Sequence, residues 1–285
     1  MAESETSISG ALSFAWSLLS HHWRAIWGVL ALNALSWTVM FAGMFADRSE
    51  IIGVGFGAML ATTFPLCGSI YRLGAVTQGR ENPELKLGAL GLQWGRMELR
   101  ILSATVLLFV FFAILLVLMS IALSAPLMGI VMNKGIPLEQ VKTPEQLQRA
   151  LGPQVTQVAA IIQLVILAVL GWVGARLMLA PAASALSGRV AVLRTWKLTK
   201  GAGWRLFVCC CLVYAPICLT VMLAAAGVNG ELSSFTPAQI LAYSVLSGML
   251  AGAASTPLSA GVQVYFYKAL VLAAAPKPDD GASRP

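Results

Sequence analysis

The run ILSATVLLFVFFAILLVL, residues 101–118, carries no charge, and VAAIIQLVILAVLGWVGA at 158–175 carries none either. A helix needs roughly 20 mostly apolar residues to cross a hydrocarbon core of about 30 Å. Inside that core the backbone must satisfy its own hydrogen bonds, which a helix does without a partner strand. The rest of the chain has the same character: of 285 residues, 58% are hydrophobic and only 11% charged, against about 25% charged in an ordinary soluble domain. The expected fold class is all-α, a polytopic bundle of transmembrane helices.

Six spans can be drawn, at about 25–46, 51–72, 101–131, 155–183, 204–227 and 238–267. Short links around Asp47–Glu50, Asn133–Pro153 and Asn229–Pro237 join them on one side. The longer links 73–100 and 184–203, with both termini, lie on the other. All but Arg48, Lys134, Lys142 and Arg149 of the 19 Lys and Arg residues fall on that second side. Positive charge is retained in the cytoplasm, which predicts that both termini are cytoplasmic. The amino terminus, MAESETS, is acidic and lacks the basic n-region of a cleaved signal, so the first span is expected to act as an uncleaved anchor.

A repeat underlies this layout. Ala11 to Trp16, Ala89 to Trp94 and Ala191 to Trp196 each place Trp five residues after Ala, ahead of an apolar run. Trp23-Arg24 and Trp204-Arg205 mark entry to the first and third of these runs. A recurring unit sets architecture before any single residue is interpreted. The reading is one transmembrane domain, 1–275, of three hairpin modules (about 8–72, 84–183 and 188–273), each preceded by an amphipathic interfacial helix. A disordered cytoplasmic tail, 276–285, follows. Trp16, Trp23, Trp94, Trp196 and Trp204 are the expected interfacial anchors, because an indole is apolar in body and polar at its N–H. Pro65, Pro181 and Pro257 occur among small residues in the second span of each pair. They are expected to kink three helices that pack centrally, or to be ordinary prolines of membrane helices.

Reactive constellations are hard to find. Cys67, Cys209, Cys210, Cys211 and Cys218 lie in apolar runs without C-x-x-C spacing, and neighbouring cysteines on a helix point apart. His21 and His22 likewise diverge and lack acidic neighbours. No nucleophile elbow, H-E-x-x-H or phosphate loop is present. The 12 acidic residues all fall in tails, links or interfacial segments, which counts against a proton-coupled carrier. Asn33 and Gln163 sit within spans, where an amide is expected to bond a neighbouring helix. No catalytic residue, metal or cofactor is expected, and no nucleic-acid partner.

The sharpest functional feature is a basic belt. Arg189, Arg194, Lys197, Lys200 and Arg205 occur with no acid among residues 189–205, and Arg176 stands just before Pro181. Each basic residue near an anionic leaflet contributes about 1 kcal/mol of attraction. These six are candidate anionic-lipid contacts.

The stretch RLMLAPAASALSGRVAVLRTWKLTKGAGWRLF, 176–207, resembles a group of bacterial six-span proteins related to the membrane domain of glycerophosphoryl diester phosphodiesterases. Trp196, Leu198, Thr199, Gly201, Trp204 and Arg205 carry the match. In that group the phosphodiesterase activity belongs to a separate soluble barrel with a His/Glu metal site. His21 and His22 are the only histidines here, so the resemblance implies the membrane scaffold without the enzyme. The expected function is non-enzymatic: a lipid organiser, or an accessory subunit beside a membrane-protein partner. The alternative is a transporter or channel for a lipid-like or small anionic solute, with Arg72, Arg176 and Lys268 lining an inner vestibule.

Overall fold

The computed structural model describes residues 7–76, 86–133, 153–227 and 236–273. The tail 276–285 and the link cations Arg80, Lys134, Lys142 and Arg149 lie outside the described residues. The elements are α1 (Ile8–Phe45), α2 (Ser49–Val76), a 3-10 turn (Ala89–Gly91), α3 (Arg96–Asn133), α4 (Pro153–Leu177), α5 (Ala180–Ser187), α6 (Val192–Leu198), α7 (Gly203–Gly227), α8 (Pro237–Gly248), a π-helical turn (Met249–Ser255) and α9 (Thr256–Ala273). Among the described residues there is no strand, and six helical segments are long and apolar enough to cross a membrane. The protein is an all-α, multi-pass membrane protein. The described residues of Met1–Thr105 and Arg176–Pro285 form one compact unit, and Val106–Ala175 a second.

In the first unit α1 is the common partner. Ser7 caps it by accepting from the Gly10 N–H at 3.0 Å, and no proline interrupts it before Phe45. After a turn in which the Arg48 N–H reaches the Gly43 carbonyl at 2.9 Å, α2 runs back along it. The π turn, α8 and α9 also lie against α1. Ile26 and Val29 of α1 pack with Leu66, Ile70 and Tyr71 of α2 and with Met97 and Ile101 of α3. Farther towards the amino terminus, Ala11 and Ala15 meet Val262 and Phe266 of α9 and Leu206 and Cys209 of α7. At the other end Phe41 and Phe45 pack with Ile217, Ala224 and Ala251.

A polar knot ties three of these segments together. Asn33 is fully buried; its Nδ2 donates to the Gly252 carbonyl at 2.9 Å, and its Oδ1 accepts from Thr62 at 3.0 Å and Thr63 at 2.9 Å. This is the expected role of a buried amide, a helix-to-helix bond. Gln163, expected to behave similarly, is instead on an exposed face of α4.

The three Trp-marked segments take three different forms. The first is continuous with α1: its small side, Ala11 and Ala15, packs inside the protein, and Trp16 and Trp23 point outward. The second is not helical beyond the 3-10 turn, where the Gly91 carbonyl accepts from buried Ser69 of α2 at 2.9 Å. Only the third forms a short separate helix, α6.

The prolines also divide. Pro65 is buried inside an unbroken α2. Pro181 sits in the first turn of α5 after the chain has already broken past Leu177, so it starts a helix rather than bending one. Pro257 is the second residue of α9, directly after the π turn. Pro216, not singled out by the repeat, lies inside α7.

The second unit is apolar outward. Phe109 (74% exposed), Leu164 (69%) and Trp172 (60%) are accompanied by Ile114, Leu118, Ile161 and Leu167. Such surface is out of place in water and at home in lipid.

Candidate functional site

The basic belt is built on α5, α6 and the turns around them. α5 ends at Gly188 in the left-handed conformation, a common helix stop. The chain is then pinned: Ser184, fully buried, accepts from the Ala191 N–H at 3.0 Å. At the far end of α6, the buried Thr199 hydroxyl lies 2.8 Å from both the Arg176 and Thr195 carbonyls. Gly201 follows with φ +87, a region that L side chains rarely occupy. Thr199 and Gly201, two of the residues that carry the family resemblance, therefore have structural duties: one anchors α6 to the end of α4, the other turns the chain into α7.

This frame sets out the charges. Arg189, Arg194, Lys197 and Lys200 are exposed, and Arg205 is half-buried with interactions of its own. Arg176 behaves differently. Its guanidinium carbon lies 5.2 Å from the centre of the Trp196 ring, and its Nε is buried without a hydrogen-bond partner. Stacking on an aromatic face is a natural place for a weakly hydrated guanidinium. Trp196 is thus partly covered by Arg176, whereas Trp16 (63% exposed), Trp23 (51%) and Trp204 (70%) face outward. Trp94 is half exposed and meets Phe64 edge-on, with ring centres 6.3 Å apart.

The structure also contains an ion pair that sequence reasoning missed. Arg72 and Glu98 are 3% and 0% exposed and bond bidentately at 2.5 and 2.8 Å. Glu98 Oε2 additionally accepts from the Gly95 N–H at 2.9 Å, capping the start of α3. Glu98, assigned from the sequence to a tail, link or interfacial segment, has its side chain buried inside the protein. The cations suggested for a vestibule have separate partners: Arg72 has Glu98, Arg176 has Trp196, and the Lys268 ammonium lies 4.9 Å from the Phe14 ring centre.

The histidines turn back on their own helix. Nδ1 of His21 is 2.8 Å from the Ser17 carbonyl, and Nδ1 of His22 is 3.1 Å from that of Leu18. Among the described residues no cluster of three or more His, Cys, Asp or Glu is placed to hold a metal. No protein-family model, curated protein or solved structure matches the chain.

Proposed function

We propose that this is a non-enzymatic protein of a bacterial inner membrane, with both termini cytoplasmic, that gathers anionic lipid on its basic, tryptophan-marked face. It acts alone or as an accessory subunit of a membrane complex. The observation that carries the reading is the exposure of Arg189, Arg194, Lys197 and Lys200 on a segment whose backbone is tied down through Ser184 and Thr199. Four cations on one short segment attract anionic headgroups at about 1 kcal/mol each. The exposed Trp16, Trp23 and Trp204 suit the same boundary.

Native mass spectrometry of the protein in mild detergent tests it. Wild type retains phosphatidylglycerol or cardiolipin, and the Arg194→Glu/Lys197→Glu double variant retains several-fold less. A wild-type protein stripped clean under those conditions, or equal retention by the variant, overturns the reading.

A further inference from the structure

A cavity of about 480 Å³ opens where the end of α2 meets the segment leading into α3. Its lining includes Arg72, Lys86, Gln93, Trp94, Arg96 and Met97. That volume lies in the range of small-molecule sites, about 300–1,000 Å³. The charged groups among its described lining residues are all cationic. The Arg72 guanidinium is matched by Glu98, while Lys86 and Arg96 are exposed at the walls and add two further positive charges.

Two contacts tie the lining together. Gln93 Nε2 donates to the Lys86 carbonyl at 3.0 Å, linking two lining residues seven positions apart. The Arg72–Glu98 pair locks the base of α3 onto α2. Arg96 and Met97 are the first two residues of α3, where backbone N–H groups have no intrahelical acceptor. Trp94 supplies an apolar flank, with exposed Leu92 and Leu99 close by in sequence. The cavity therefore combines cationic donors with apolar surface from Leu87, Trp94 and Met97, where the end of α2 meets the start of α3.

We propose that this cavity is a phosphate-binding site occupied by the headgroup of an anionic phospholipid, with the phosphate between Lys86 and Arg96 and the glycerol end against Trp94. The proposal deepens the lipid-gathering reading and rests on it. It adds a defined pocket on the α2–α3 side, built from residues other than the belt of α5 and α6.

The test is calorimetric titration of the detergent-solubilised full chain with dihexanoyl phosphatidylglycerol, and separately with inorganic phosphate. Three proteins are compared: wild type, Lys86→Gln/Arg96→Gln in the cavity, and Arg48→Gln, an exposed cation outside both the cavity and the belt. The cavity variant is expected to bind the short-chain lipid at least tenfold more weakly, while Arg48→Gln stays within twofold of wild type. Because Lys86 and Arg96 are exposed, thermal stability should be unchanged, which separates lost binding from lost folding. Inorganic phosphate is expected to bind much more weakly than the lipid. Equal affinity, with the same loss in the cavity variant, supports the phosphate site and assigns it to a soluble phosphate. Unchanged lipid affinity in the cavity variant overturns the proposal. If Arg194→Glu/Lys197→Glu nevertheless loses lipid in native mass spectrometry, the broader reading survives that failure.

Discussion

Arg72 of α2 and Glu98 of α3 are joined by two hydrogen bonds, 2.5 and 2.8 Å, with both side chains removed from solvent. Glu98 also holds the Gly95 N–H, so one carboxylate serves as counter-ion and helix cap. The contact depends on Gly68: a Cβ there would stand 2.1 Å from Glu98 Oε1. Removing one partner of a buried pair leaves an uncompensated charge and costs about 3–5 kcal/mol, whereas replacing both by apolar groups can be nearly neutral.

The first prediction follows from that asymmetry. Arg72→Met alone should destabilise the protein by about 3 kcal/mol or more, and Arg72→Met/Glu98→Leu should recover much of the loss. Thermal or denaturant unfolding in detergent micelles reads both. A double variant as unstable as the sum of the singles would show that the two residues act independently.

Asn33 supports a second prediction. Interhelical hydrogen bonds in membranes average about 0.6 kcal/mol and reach about 1.7, and Asn33 makes three. Thr62 has other acceptors, at Ala58 and Met59, so its loss is softened. Asn33→Leu should cost about 1–3 kcal/mol in the same unfolding assay. No loss at all would mean that the knot contributes nothing net.

Close approach of the carboxy-terminal span to α1 gives a third. A Cβ on Gly248 would fall 2.6 Å from the Thr38 backbone nitrogen, and one on Gly252 2.5 Å from Ala34 Cα. Backbone cannot retreat as a flexible side chain can, so Gly252→Ala should destabilise by about 1–3 kcal/mol, as overpacking does. Gly53 and Gly57 of α2 have nothing within 4 Å of the same position. Gly53→Ala should therefore be neutral or slightly stabilising, since alanine is the better helix former. Equal losses at Gly252 and Gly53 would contradict this packing.

The long helices were legible in the sequence because charge-free runs are dictated by the hydrocarbon itself. What the repeat could not reveal was tertiary use. Ala11 and Ala15 look like one side of a surface helix, but small residues are also what close helix packing needs, and α9 takes them: a Cβ on Gly261 would meet Ala15 at 2.8 Å. Leu90 and Gly91 adopt φ values of 58 and 74, which ends helix at the second Trp segment and lets it dock on Ser69. Glu98 was hidden for another reason. Composition places an acid between spans at the surface, and nothing local to it indicates that Arg72, 26 positions earlier, will meet it inside. The nearest sequence signal was Gly95 followed three residues later by Glu, a helix-start pattern. The exposed belt, by contrast, was readable, because uncompensated lysine and arginine stay at a surface when no acid lies beside them.

The final prediction concerns orientation, which rests on the distribution of Lys and Arg. All five cysteines are unbridged and occur within α2 and α7, among residues assigned to spans. A membrane-impermeant maleimide reaches only thiols open to water, so wild type should remain unlabelled and needs no cysteine removal. Arg48 is exposed immediately before α2, and Lys200 is exposed beyond α6. In intact inner-membrane spheroplasts, Arg48→Cys should label at once, and Lys200→Cys only after permeabilisation. The reverse pattern would place the basic belt outside, remove it from the cytoplasmic leaflet, and end the case for inner-leaflet lipid gathering.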